Sequence, residues 1–290
     1  MNIETGHFIR IQIPARGRTL WLSPAWAVVC GIVASSAFVW TGRDVLIAAL
    51  SILLADGVWA TIWWGLVETD WPALIARWPH VAYAEPEAAW PFARPGSPAE
   101  RSQHWSAHFR AWWQTEVWPE VGTPVLSALV CVALGIVLSG VIGWQAMTLS
   151  LGAFALIQVG VILEHRAGLP QEVSHFAHGL LDVGLAWSLG QAAFGHLTPL
   201  SLAMALLFSI AYAASLDLAR GGQRSIGWLL PQLLIVIGLV LLQQPLAAFM
   251  LGVLLIAQTL LATVLRGLAF AQASQFWLLL AMLVGALAIR

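Results

Sequence analysis

Apolar residues fall in nine long blocks, near 20 to 41, 45 to 66, 123 to 142, 146 to 164, 176 to 194, 198 to 216, 226 to 243, 246 to 265 and 274 to 289. Each block has the length a helix needs to cross a hydrocarbon layer of about 30 Å. Within them the apolar positions run continuously instead of alternating, which excludes an outer-membrane barrel. The pattern predicts an all-α, polytopic membrane helix bundle of about nine transmembrane helices, forming one transmembrane domain over residues 1–290. Gln243, Gln244 and Pro245 are the only punctuation between two of the blocks, so residues 226–265 read either as two spans or as a re-entrant hairpin. Residues 1–19 are polar and arginine-bearing and the first apolar block is full length, so no cleavable signal peptide is expected.

Composition narrows the class. Hydrophobic residues make up 60% of the 290 and charged residues 9%, against about 45–50% and about 25% in soluble domains. A large extramembrane enzyme, a disordered chain and a disulfide scaffold are excluded. Cys30 and Cys131 sit inside apolar blocks and read as small core residues. The lipid bilayer is the expected partner, and nucleic acid is not.

All thirteen basic residues are arginine, and their positions give an orientation. With the N-terminus in the cytoplasm, eleven lie inside and only Arg43 and Arg290 outside, a strong positive-inside bias. Fusing the last two spans moves only Arg290, so the bias fixes orientation better than span number. The expected location is the cell's inner (cytoplasmic) membrane, crossed several times.

Most of the polar chain lies at 67–122, a cytoplasmic interfacial loop between the second and third spans. Pro72, Pro79, Pro86, Pro91 and Pro95 make its first half irregular. Ser97-Pro98-Ala99-Glu100 then forms a capping box with proline at the first helical position, predicting a helix to about Trp118. Trp105, Phe109, Trp112 and Trp113 share one face of it, while Arg101, His104, His108 and Glu116 decorate the others. Such a helix lies amphipathically in the headgroup region or packs on the cytoplasmic loops; the first reading is preferred.

Ionisable groups at membrane depth are functional candidates. Asp56 lies mid-span, with no oppositely charged neighbour within a turn. Trp59 and Trp63 follow it at i+3 and i+7, so an acid and two indoles share a helix face that lines a ligand pocket or packs against other helices. His175 and His178 open the fifth block with Asp182 one turn further on. That set reads as a polar cap at the boundary, a weak metal site, or an axial ligand for a tetrapyrrole. Asp217, Arg220, Gly221, Gly222 and Arg224 close the sixth block; they form a phosphate-binding end, directly or through a metal on Asp217, or a short positive-inside loop.

The acidic second span, the long cytoplasmic loop after it, and the segment Leu216-Asp217-Leu218-Ala219-Arg220-Gly221-Gly222-Gln223-Arg224-Ser225 together resemble the UbiA superfamily of intramembrane prenyltransferases. Arg166-Ala167-Gly168-Leu169-Pro170 resembles that family's loop before the fifth helix, and the likeness covers most of the chain. It implies aspartate-rich motifs that hold Mg²⁺ and a prenyl diphosphate, whose departure leaves an allylic cation to alkylate an aromatic acceptor. On this chain Asp56 and Asp217 would be the metal ligands and Arg220 and Arg224 the diphosphate ligands. The family's first motif is Asn-Asp-x-x-Asp-x-x-x-Asp. Here Ala55 begins it, Asp56 is kept, and Trp59 and Trp63 stand where the other two aspartates belong; Gly221 replaces the partner acid of the second motif. Most motif aspartates are therefore missing.

Two functions follow from the resemblance. One is a divergent prenyltransferase or its catalytically silent relative, with a hydrophobic cavity for an isoprenoid or aromatic ligand and Mg²⁺ if it is an enzyme. The other is a non-enzymatic subunit that binds chlorophyll, carotenoid or quinone, or assembles a larger photosynthetic or respiratory membrane complex. Of the 17 tryptophans, seven lie in the 67–122 loop and suit interfacial anchoring. Trp59 and Trp63 bear on chemistry instead.

Overall fold

The computed structural model describes residues 24–67, 69–81, 90, 92–165, 171–219 and 226–290. Among them there is no strand, and every predicted apolar block contains a helix. In chain order these are α1 (Pro24–Ser35), α2 (Gly42–Val67), a short α3 (Trp71–Ala76), α4 (Pro98–Ile142) and α5 (Trp144–His165). Next come α6 over residues 171–194, α7 (Pro199–Ala219), α8 (Leu229–Leu241), α9 (Pro245–Val264) and α10 (Gly267–Ala288).

Six of these, α2, α4, α5, α7, α9 and α10, are long and apolar enough to cross a membrane. The protein is thus a multi-pass membrane protein. The other three, α1, α6 and α8, are not among these six, and α1 and α8 have 12 and 13 residues among the described ones, or about 18–20 Å of rise. Local chemistry explains both ends. Ser36 turns into the left-handed region (φ 51) and Thr41 then caps α2, its hydroxyl accepting from Asp44 N at 3.1 Å. After α8, Gln243 (φ 58) makes the turn and Pro245 opens α9. Residues 226–265 are therefore two helices joined at the turn.

The capping box at Ser97 is present: its hydroxyl accepts from Glu100 N at 3.2 Å, and the Glu100 carboxylate accepts from Gly96 N. The helix it starts does not stop near Trp118. It passes through a π-helical turn at Trp113–Val117 and runs unbroken to Ile142, so the predicted interfacial helix and third span are one element. Pro119 lies two residues past that turn, where its missing N–H and ring are tolerated. Trp112 is buried, donating to Leu74 O at 3.1 Å, so part of the aromatic face covers α3 instead of lipid. Arg77 after α3 joins Glu120 of α4 at 2.7 Å, and the two glutamates beside it hold its guanidinium above the ordinary arginine range.

α6 sits at the centre, against α1, α2, α5 and α7, while α10 covers α1, α7 and α9. The tightest contact is between α1 and the C-terminal half of α6. A Cβ on Gly31 would stand 2.0 Å from the Trp187 carbonyl oxygen, and one on Gly190 would stand 2.1 Å from that of Val28. Only glycine permits that approach, the usual device for close helix contact in a membrane. Polar groups then lock neighbours together. Trp26 Nε1 of α1 donates to Leu279 O of α10 at 3.1 Å. Trp187 Nε1 of α6 donates to Ser201 Oγ of α7 at 2.8 Å, and Gln232 and Gln258 exchange two amide hydrogen bonds of 3.0 Å between α8 and α9. On α9, Leu246, Phe249, Val253, Ile256 and Leu260 face outward as a lipid-exposed stripe.

Candidate functional site

The membrane-depth acids occur where the helices depart from α geometry. Asp56 lies in a π-helical segment of α2, Leu53–Trp59, and Asp182 in one of α6, Leu180–Leu185; the two segments touch. Such turns insert an extra residue and recur at functional sites. The insertion also breaks the simple i, i+3, i+7 register expected for Asp56, Trp59 and Trp63, yet all three are buried, the acid at 4% exposure.

From Asp182 a polar network extends to two other helices. His178 Nε2 lies 3.1 Å from Asp182 Oδ2 along α6, and the Tyr212 hydroxyl of α7 hydrogen-bonds to the same carboxylate. The imidazole of His178 stacks on Trp63 of α2, with centroids 4.9 Å apart and planes 16° from parallel, and meets Trp64 edge-on at 5.8 Å. Glycines make the room: a Cβ on Gly160 of α5 would sit 2.5 Å from the Trp63 ring, and one on Gly179 of α6 2.6 Å from Ser209 O of α7. One turn away, His175 Nδ1 approaches Asp217 Oδ1 at 3.6 Å. The structure thus gathers Trp63, His175, His178, Asp182 and Asp217 around the face where α6 meets α7 and α2.

Trp59, by contrast, is fully buried and its indole N–H has no hydrogen-bond partner among the described residues. Gln191 Oε1 of α6 is likewise buried without a partner. Buried orphan donors are rare in native folds and each asks for an explanation. Arg220 and Arg224, the expected diphosphate ligands, lie outside the described residues, as does the 166–170 loop.

The donor set can be tested against the expected groups. Among the described residues no cluster of three or more His, Cys, Asp or Glu side chains is arranged to hold a metal ion. Asp217 faces His175, while Asp56 belongs to a segment packed against α1, α4 and α6. The described residues therefore do not form the Mg²⁺ site that a prenyl diphosphate requires, and no step follows through one. On His178, Asp182 engages Nε2, so an axial bond to a tetrapyrrole would fall to Nδ1.

Sequence reasoning identified Asp56, Trp59, Trp63, His175, His178, Asp182 and Asp217 but not Tyr212, Trp64 or the glycines. Tyr212 carried one signal, since it is one of only two tyrosines and lies inside an apolar block.

A cavity of about 250 Å³ opens where the ends of α7 and α9 meet the starts of α8 and α10. Leu218, Trp228, Leu265 and Phe270 give it apolar walls, with Arg266, Thr259 and Thr263 at its polar side. Leu218 is the residue after Asp217, so the cavity adjoins the end of the polar network.

No protein-family model matches this chain, and neither does a curated protein or a solved structure.

Proposed function

We propose that this protein is a UbiA-like inner-membrane protein that holds an isoprenoid or aromatic ligand and does not carry out Mg²⁺-dependent prenyl transfer. The observation that carries the proposal is the commitment of the acids. Asp182 is shared by His178 and Tyr212, Asp217 faces His175, and Trp63 stacks flat on the imidazole where a motif aspartate would stand. A diphosphate site needs Asp217, with Asp56, turned toward a cation. Carboxylates bound to protein partners instead hold helices in register.

A quinone is the ligand class the free groups suit best. Its carbonyl oxygen would accept from the Trp59 N–H, which is buried and has no partner among the described residues. Carotenoid and chlorophyll remain within the same binding role, as does service in a larger photosynthetic or respiratory assembly.

The proposal includes the arrangement in the bilayer. The N-terminus is cytoplasmic, α1, α6 and α8 complete a nine-helix bundle with the six long helices, and the 67–122 region rests on the cytoplasmic face. Exposed Trp90, Phe92 and Trp105 in that region, and exposed Trp40 and Trp144 at the opposite helix ends, support two aromatic belts.

The experiment is extraction of the protein purified from its native membrane, with quinones, carotenoids and chlorophylls quantified chromatographically. One ligand per chain, depleted in Trp59→Phe, supports the proposal. A ligand-free protein that transfers a labelled prenyl group with Mg²⁺, and loses that activity in Asp56→Ala and Asp217→Ala, overturns it.

A further inference from the structure

The outward face of α5 carries an amide at membrane depth. Only 28% of the apolar stretch of α5 is buried, against 56% in α2 and in α7. Leu151, Gly152, Ala155, Gln158, Val159 and Ile162 are all exposed, and their spacing places them on one stripe of the helix. Gln158 lies two turns inside the His165 end, about 10 Å of rise. Its side chain makes no hydrogen bond among the described residues. A polar group turned toward hydrocarbon without a partner is costly, and such groups serve in membranes to join one helix to another.

Exposed threonines on α9, which is buried as little as α5, make no such demand. Thr259 Oγ1 donates to Leu255 O at 2.6 Å and Thr263 Oγ1 to Leu260 O at 2.7 Å, so each hydroxyl proton is already placed within the helix. Exposed Gln272 of α10 lies in that helix's second turn, where the membrane boundary supplies water. Gln158 has neither remedy. It needs a partner that offers both a donor and an acceptor, because a carboxamide carries both.

Another glutamine meets that requirement, and the chain uses the same solution internally, where Gln232 and Gln258 pair through two reciprocal bonds between α8 and α9. A two-fold axis along the membrane normal sets α5 of one copy parallel to α5 of another, so that each residue 158 faces its counterpart. The surface beside it suits a close approach. Gly152 and Ala155 are small, and a Cβ on Gly152 would meet nothing within 4 Å, which leaves the groove open to a second helix. Leu151, Val159 and Ile162 flank it with apolar surface. We infer that this protein pairs with a second copy of itself in the membrane through the Gly152, Ala155 and Gln158 face of α5, with the two Gln158 amides hydrogen-bonded across the axis. The inference is independent of the ligand role proposed above.

The test counts chains by single-molecule photobleaching of the labelled full chain in liposomes over a range of protein-to-lipid ratios. Dimers are expected, with a dissociation constant raised about tenfold in Gln158→Leu and at least as much in Gly152→Ile. Gly252→Ile on the outward side of α9 should leave it unchanged. Disulfide cross-linking with copper(II) phenanthroline as oxidant then locates the face: Ala155→Cys should yield a covalent dimer and Val253→Cys on α9 none, while native Cys30 and Cys131 are buried. Monomers at every density, dimers indifferent to both α5 substitutions, or cross-links through Val253→Cys and not Ala155→Cys overturn the inference. So does Ala155→Cys in native membranes cross-linking only to a different protein, which would assign the face to another partner. Both α5 substitutions lie on the outer face, so melting temperatures should match the parent; a fall would require the count to be repeated with Gln158→Met, for which the same tenfold loss is expected and an unchanged dimer overturns the inference.

Discussion

Substituting Gly31 by alanine adds a single methyl group, yet the close contact between α1 and α6 predicts a large effect. The new Cβ would stand 2.0 Å from Trp187 O and 2.9 Å from Gln191 N, both backbone atoms that no rotamer change can move. Relief requires the two helices to separate by roughly 1 Å, which loosens the dispersion contacts along the whole crossing. Overpacking of this kind costs about 3 kcal/mol, the upper part of the usual range, because the clash is with main chain. Gly190→Ala meets Val28 O at 2.1 Å from the opposite side and should cost the same. One separation relieves both clashes, so the double variant should lose about 4 kcal/mol instead of the additive value of about 6. Gly252→Ala on α9, with open space around its Cβ, is the control and should be neutral or more stable by up to about 1 kcal/mol. The assay is the fraction of monodisperse protein remaining after heating in detergent, read by size-exclusion chromatography. A fall of about 6–12 °C is expected for each single variant. If Gly31→Ala melts with Gly252→Ala, or if the two glycine effects simply add, the close packing described here is wrong.

Other predictions concern the polar network and its supports. Asp182→Ala strips His178 and Tyr212 of their shared acceptor and should destabilise by about 3 kcal/mol, whereas Asp182→Asn keeps an acceptor oxygen and should lose about 1 kcal/mol, in equilibrium unfolding from mixed micelles. Tyr212→Phe removes one interhelical bond and should lose about 1 kcal/mol in the same experiment. Gly160→Ala drives a methyl group into the Trp63 ring, so the His178 ring protons should lose their ring-current shift in NMR spectra of histidine-labelled protein; an unchanged shift would contradict the stacking. A double-mutant cycle on Gln232→Leu and Gln258→Leu should give a coupling of about 1 kcal/mol, and no coupling would argue against the paired amides.

The apolar blocks located every long apolar helix because burial in lipid demands continuous hydrophobic length. They overran the C-terminal end of α1, since Ser36 to Trp40 is apolar enough to prolong a block while the positive φ of Ser36 ends the helix. Hydropathy does not see a dihedral angle. The capping box was read correctly at Ser97, but the π-helical turn that carries α4 past Pro119 has no residue signature. The same holds for the π-helical segments around Asp56 and Asp182. At the site, the ionisable residues were legible one by one from their cost at membrane depth. Their partners were not, because Trp63 with His178, Asp182 with Tyr212 and His175 with Asp217 each join two helices whose sequence separation carries no contact information. The UbiA resemblance implies a pairing of Asp56 with Asp217 through Mg²⁺; among the described residues Asp182 leads to His178 and Tyr212, and Asp217 to His175.

The most direct test of that difference is binding of non-reactive prenyl thiolodiphosphates of ten, fifteen and twenty carbons to the purified protein, by calorimetry, with and without Mg²⁺. If the carboxylates are committed to His178, Tyr212 and His175, Mg²⁺ changes the affinity of none of them, and Asp217→Asn binds as the parent does. Tenfold tighter binding with Mg²⁺, abolished by Asp56→Asn or Asp217→Asn, would show that a metal–diphosphate site survives and would contradict the account.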